Sequence, residues 1–149
     1  MNEENGFCRR AITTEYAWRM VNLPYRWGGD DSIKGYDCSG EVCELLKAVG
    51  VLPNESDLTA DNLMRYFKNQ IIKTPQEGCL VFYGKDGIAT HVAYCINGLI
   101  QIGANGGGRN DVDLQTASED NAFIKPRLIL YRSDVICYVD PFGDNDVVY

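Results

Sequence analysis

Along the first half of the chain, apolar positions recur every three or four residues; along the second half they alternate or run together. Ile12, Tyr16, Arg19/Met20 and Leu23 are spaced for a first helix over residues 8–22, which Pro24 stops. Residues 25–37 carry Gly and Asp in place of that spacing and read as a loop. Val42, Leu45, Leu46 and Val49 predict a second helix over 38–49, with Gly50 suited to the left-handed position that closes a helix. Thr59 to Asn69 predicts a third, and the Thr59 hydroxyl is placed to cap it. The period then changes. Cys79–Tyr83, His91–Ile96 and Leu99–Ile102 predict three strands, joined by turns at Lys85-Asp86-Gly87 and Asn97-Gly98. Leu128–Tyr131 and Val135–Val139 predict two more, and the polar tail from Pro141 to Tyr149 reads as a fraying end. Helices first and antiparallel strands second is an α+β pattern, with N-terminal helices packed on a C-terminal sheet.

Composition narrows the partners. At 149 residues the chain suits one domain, spanning 1–149. A net charge of -7 disfavours nucleic acid, whose phosphates need clustered Lys and Arg. No apolar stretch approaches the length of a membrane span. The acidic start, Met1 to Gly6, is followed by no apolar core of a signal peptide, so synthesis in the cytoplasm is expected. The six cysteines, at 8, 38, 43, 79, 95 and 137, form no CxxC pair. Cys79 and Cys95 lie in apolar strand runs, where Cys acts as a small hydrophobe, and reduced thiols are the reading. One histidine among scattered cysteines supplies no zinc ligand cluster, and no cofactor is expected.

The chemistry concentrates in Pro24-Tyr25-Arg26-Trp27-Gly28-Gly29, then Tyr36-Asp37-Cys38-Ser39-Gly40. Cys38 falls in the first turn of the second helix. Unpaired N–H groups and the helix dipole there favour an anion, so they should lower a thiol pKa and hold the oxyanion of a tetrahedral intermediate. His91, the single histidine, begins a strand and can take the thiol proton. A buried structural thiol is the plainer reading of most cysteines, but Asp37 and Ser39 are poor company for a core Cys. Gly40 and Gly28-Gly29 would let a substrate backbone come close.

These blocks, with Gly78-Cys79-Leu80-Val81-Phe82-Tyr83 and His91-Val92-Ala93-Tyr94, resemble the NlpC/P60 family of papain-like cysteine peptidases over about residues 8–105. The resemblance implies a papain-like α+β fold with the nucleophile helix packed on the sheet. It implies hydrolysis of peptidoglycan stem peptides, commonly between D-glutamate and a diamino acid. It makes Cys38 the nucleophile, His91 the base and Tyr25 a shaper of the oxyanion site, and it lines the cleft with Asp37, Ser39 and Trp27. Asp37 as a plain helix cap and Tyr25 as a packed loop aromatic stay open beside these roles. A muropeptide is the implied partner, and delivery to a wall would run through phage lysis, a tail tip or a secretion system. Other acyl-transfer or amidase chemistry on the same residues, and a non-catalytic phage-tail or cell-surface binding role, are the alternatives. Gly78-Cys79-Leu80 departs from the family's frequent Gly-Asp-Leu.

The family places a polar third residue on the strand after the His strand, and Gln101 matches it best. A two-residue turn at Asn97-Gly98 would send Gln101 to the opposite face from His91. A three-residue loop, Ile96-Asn97-Gly98 with Gly98 left-handed, would put His91 opposite Gly103 and Gln101 one diagonal step away. The second arrangement is the expectation, and Asn105 is the alternative. Gly103 to Gly108 reads as a substrate loop or an ordinary Gly-rich turn.

Overall fold

In the computed structural model, which describes residues 7–26, 28–31, 35–105, 114–119, 121–143 and 147–148, the change of period marks a change of layer. The elements begin with β1 (Phe7–Cys8), α1 (Arg9–Met20), β2 (Asp30–Asp31), β3 (Gly35–Tyr36), α2 (Cys38–Ala48), α3 (Ala60–Tyr66) and β4 (Ile71–Ile72). They continue with β5 (Leu80–Lys85), β6 (Ile88–Cys95), β7 (Ile100–Asn105), α4 (Leu114–Glu119), β8 (Phe123–Leu128), β9 (Val135–Val139) and β10 (Val147–Val148). Six strands form one antiparallel sheet in the order β4-β9-β5-β6-β7-β8. α1, α2 and α3 pack on one face of it, giving the expected α+β architecture.

Strand alternation assigns the faces. Leu80, Phe82, Val92, Tyr94, Ile102 and Ala104 join Val42, Leu45, Leu46 and Leu63 in the main core between sheet and helices. Cys79, Val81, Tyr83, Ala93 and Cys95 form a second cluster on the far face, closed by Ile129. Cys79 and Cys95 are wholly buried there, and none of the six cysteines is in a disulfide.

Local rules explain the helices. The Thr59 hydroxyl accepts from the Asn62 N–H at 3.2 Å, so α3 has its cap. Gly50, at φ +75°, closes α2: its N–H reaches Lys47 O, and Val51 N–H reaches Leu46 O. The buried stripe of α1 is Thr13, Ala17 and Met20 rather than the stripe through Ile12, which stays 43% exposed. Thr13 tolerates burial because its hydroxyl donates to Arg9 O at 2.7 Å.

Two expectations are corrected. Leu128–Tyr131 is not a strand: Ile129–Tyr131 is a 3₁₀ turn, and the strand is β8, paired with β7 from Leu128 opposite Ile100 to Phe123 opposite Asn105. Lys125, Pro126 and Arg127 disguised β8, but it is an edge strand, where Pro and charge are tolerated. Nor is the tail wholly loose. Val147–Val148 pairs with Phe7–Cys8, and Phe142 is buried. Arg10 of α1 holds this end through both Asp140 oxygens, at 3.2 and 3.1 Å, and lies over the Phe142 ring.

Candidate active site

Asp37 is the residue that builds the start of α2. One carboxylate oxygen accepts from the Gly40 N–H at 2.7 Å, capping the helix, and the other accepts from the Gly28 N–H at 3.1 Å. Its own N–H donates to Gly29 O at 3.0 Å. The loop is thereby laid across the helix end, and the helix tolerates no side chain at Gly40, where a Cβ would stand 2.1 Å from Gly29 O. The close approach at Gly40 is thus made by the protein's own loop rather than by a substrate. Ser39 Oγ also turns to Asp37, at 3.4 Å. Tyr25 is buried and bridges to Tyr36, just ahead of Cys38. Trp27 and Gly106 to Gly108 lie outside the described residues.

Cys38 sits where the sheet opens. β6 and β7 pair only at Tyr94–Ile102 and Cys95–Gln101. Beyond that point the backbone of Val92, next to His91, hydrogen-bonds the Cys38 side chain, as does that of Ser39. The Ala104 backbone faces the Glu41 carboxyl, one helical turn along from Cys38. The beginning of α2 therefore fills the opening between the two strands. His91 pairs with Tyr83 on β5, beside a bulge: Tyr83 pairs with His91 but Gly84 with Ala89, leaving Thr90 extra. Such a bulge re-aims the side chains around it.

The hairpin register differs from the expectation. Ile96 N–H reaches Ile100 O, so the loop is Asn97-Gly98-Leu99, not Ile96-Asn97-Gly98, and Gly98 is not left-handed. Asn97 Oδ1 sets this loop by accepting from both Leu99 and Ile100 N–H at 2.8 Å. Gln101 then keeps the face of His91 but stands opposite Cys95, back toward the hairpin. It is fully buried, and neither amide atom has a hydrogen-bond partner among the described residues. Counting on from Tyr94–Ile102 puts Asn105, not Gly103, opposite His91, and Asn105 is the side chain that acts on the imidazole in favour of its charged form. The Asn105 amide is fixed at both ends: Nδ2 donates to Gly103 O at 2.8 Å, and Oδ1 accepts from Tyr131 Oη at 2.9 Å.

A family model matches the chain at once in its helices and its sheet: the NlpC/P60 model covers residues 22–133. The chain belongs to the NlpC/P60 family. Among solved structures it is similar to the NlpC/p60 domain of the peptidoglycan hydrolase SagA, at TM-score 0.59 and 22% identity over 87% of this chain and 97% of that one. NlpC1 of Trichomonas vaginalis superposes at TM-score 0.69 and 14% identity, over 95% of this chain but 45% of that one. The peptidoglycan hydrolase RipB of Mycobacterium tuberculosis gives 0.61 and 19% identity, over 93% of this chain and 67% of that one. No curated protein matches the chain.

Electrostatics of this NlpC/P60 site run against the sequence expectation for the thiol. Burial pushes Cys38 up to about 11 and outweighs the backbone hydrogen bonds from Val92 and Ser39. Burial, helped by the charge of Arg132, pushes His91 down to about 4, against the pull of Asp134 and Asn105. The resting pair is a neutral thiol and a neutral imidazole. The His91 ring packs 5.5 Å from that of Tyr83, with Arg132 over the Tyr83 ring at 5.0 Å, and His91 Nε2 is buried with no hydrogen-bond partner among the described residues. Sequence reasoning missed Tyr131 and Glu41. Tyr131 was hidden in an apolar run read as strand. Glu41 was visible in principle, since a residue three beyond Cys38 on a helix shares its face.

Proposed function

We propose that the protein is a cysteine peptidase or amidase that hydrolyses amide bonds of peptidoglycan stem peptides, with Cys38 as nucleophile, His91 as base and Asn105 as its orienter in place of Gln101. The observation that carries this is the convergence of three elements. The Cys38 thiol at the start of α2 meets the backbone beside His91 on β6, and Asn105 on β7 meets the His91 ring. Family membership and the likeness to SagA and RipB, both named as peptidoglycan hydrolases, support the substrate class.

The neutral resting pair sets the sequence of events. As Sγ attacks the amide carbon, its proton passes to His91, so thiolate character develops only during bond formation. The oxyanion is received by the N–H groups at the start of α2, beside Tyr25. His91 then protonates the leaving amine and the C–N bond breaks. Water, deprotonated by His91, attacks the thioester, releasing the acid and restoring the thiol. Asn105, a neutral amide, fixes the ring's orientation without adding charge. Cys38→Ala should lower muropeptide release by roughly 1,000-fold or more while leaving the melting curve intact, as measured by mass spectrometry of digested sacculi. Equal release by the variant overturns the thiol mechanism.

A further inference from the structure

Glu41 is the one acidic side chain among the described residues that is wholly buried, and neither carboxyl oxygen has a hydrogen-bond partner there. An acid in the first turn of a helix suits the helix dipole, but the dipole acts equally well on an exposed one. Burial needs another account, because an unpaired buried carboxylate is among the costliest groups a core can hold. The residue shares the Cys38 face of α2, and helical side chains lean toward the helix N-terminus, which brings the carboxyl back toward the thiol. Its other neighbour is the Ala104 backbone, next to Asn105, which faces it without closing a full hydrogen bond. Glu41 thus touches both sides of the opening that holds the nucleophile and the orienter of the base.

We propose that Glu41 is a positioning residue that works as a neutral acid: it fills the floor of the site between α2 and β7, and losing its proton suppresses thiolate formation at Cys38. This rests on the reading of Cys38 as nucleophile. Burial holds the Glu41 carboxyl well above its ordinary range, with only the Ala104 backbone acting against it. The ionisable group that faces it is Cys38, on which Asp37 at the cap also acts; no charged side chain among the described residues bears on Glu41 itself. When Glu41 ionises, its negative charge lies beside a group that must itself become negative, and like charges disfavour each other. An apolar residue would fill the space but not the carboxyl's polar contact with β7.

Glu41→Gln tests this, being the same shape and neutral at every pH. Cleavage at pH 6 should stay within about twofold of the parent, and the alkaline fall in kcat/KM should move up by roughly half a pH unit or more. Peptide-mapped iodoacetamide labelling of Cys38, at a pH where infrared spectroscopy shows the parent's buried carboxyl to have lost its proton, should be about threefold faster in the variant, since one like charge is gone. Glu41→Leu should lose activity at all pH values. Coincident pH profiles and coincident labelling rates for Glu41→Gln overturn the proposal. If Glu41→Gln does not fold, infrared spectroscopy of the parent decides. The carbonyl stretch of one protonated carboxyl should persist above the ordinary glutamate range, and its absence there overturns the proposal. Labelling needs no substrate, so the two readings fail separately. Full cleavage by Cys38→Ala removes the enzyme mechanism, whereas unchanged labelling removes only the role of Glu41.

Discussion

At the scale of single residues, the proposal that Asn105 is the third partner of the site turns on which end of its amide points where. Asn105 is held at both ends, by Tyr131 Oη and by Gly103 O, and so presents one fixed edge to His91. Tyr131 in turn packs 6.0 Å from the Tyr83 ring and under Arg127, so its hydroxyl is itself placed. It acts on His91 through Asn105 and through the Tyr83 ring between them. Tyr131→Phe should therefore lower kcat by about fivefold to tenfold with KM unchanged, because orientation matters only as charge develops on the imidazole. Stability should fall by no more than about 1 kcal/mol, the worth of one partly exposed hydrogen bond. Steady-state kinetics on a defined stem peptide reads the split. A rise in KM with kcat untouched would place Tyr131 in substrate binding instead.

At the scale of elements, the His strand depends on two register shifts that flank Tyr83, with Gly84 at the edge of one. β5 shifts register against β6 after Tyr83, and against β9 just before it. A Cβ on Gly84 would lie 2.0 Å from Ile88 O and 3.0 Å from Ala89 Cα, both backbone atoms that cannot rotate away. Gly84→Ala should cost roughly 2–3 kcal/mol, as overpacking does, and should disturb His91, which pairs with the preceding residue. Gly87→Ala, at φ +75° with open space around it, should cost about 1 kcal/mol and leave activity alone. Urea unfolding and activity per folded molecule compare the two, and equal losses would deny the bulge its role. The sequence makes some of this legible and hides the rest for physical reasons. Asp86-Gly87 announces its tight turn, since both residues are left-handed there. The cap at Asp37 and the closing Gly50 are equally local. The β6–β7 loop is not, because Asn97 can bond forward to Leu99 and Ile100 by way of its side chain, which shifts the strand pairing without altering the apolar pattern. That shift keeps Gln101 on the correct face and still moves Asn105 into its place. β8 was hidden for a different reason: an edge strand need not look apolar.

At the scale of the whole molecule, the site leaves a signature in stability against pH. Two buried groups are held neutral, and their effects have opposite sign. His91 has its pKa lowered from 6.5 to about 4, so the unfolded chain binds the proton more readily between those values. The contribution of His91 is complete above pH 6.5 and is lost as pH falls through 4. Glu41 is raised well above 4.5, so here the folded chain holds the proton more tightly. Its contribution is complete below pH 4.5 and is lost as pH rises through its folded value. Between pH 4.5 and 6.5 the two slopes oppose, and each is at most about 1.4 kcal/mol per pH unit for one proton. The parent should therefore show a shallower pH dependence across that window in urea titrations than a variant that lacks one of the two groups. Glu41→Gln should unmask a rise with pH of about 1 kcal/mol per unit and His91→Gln a fall. If Glu41→Gln shows no rise, His91 is not held neutral and the neutral resting pair from which the mechanism starts falls; if His91→Gln shows no fall, Glu41 is not held neutral and the pair is untouched.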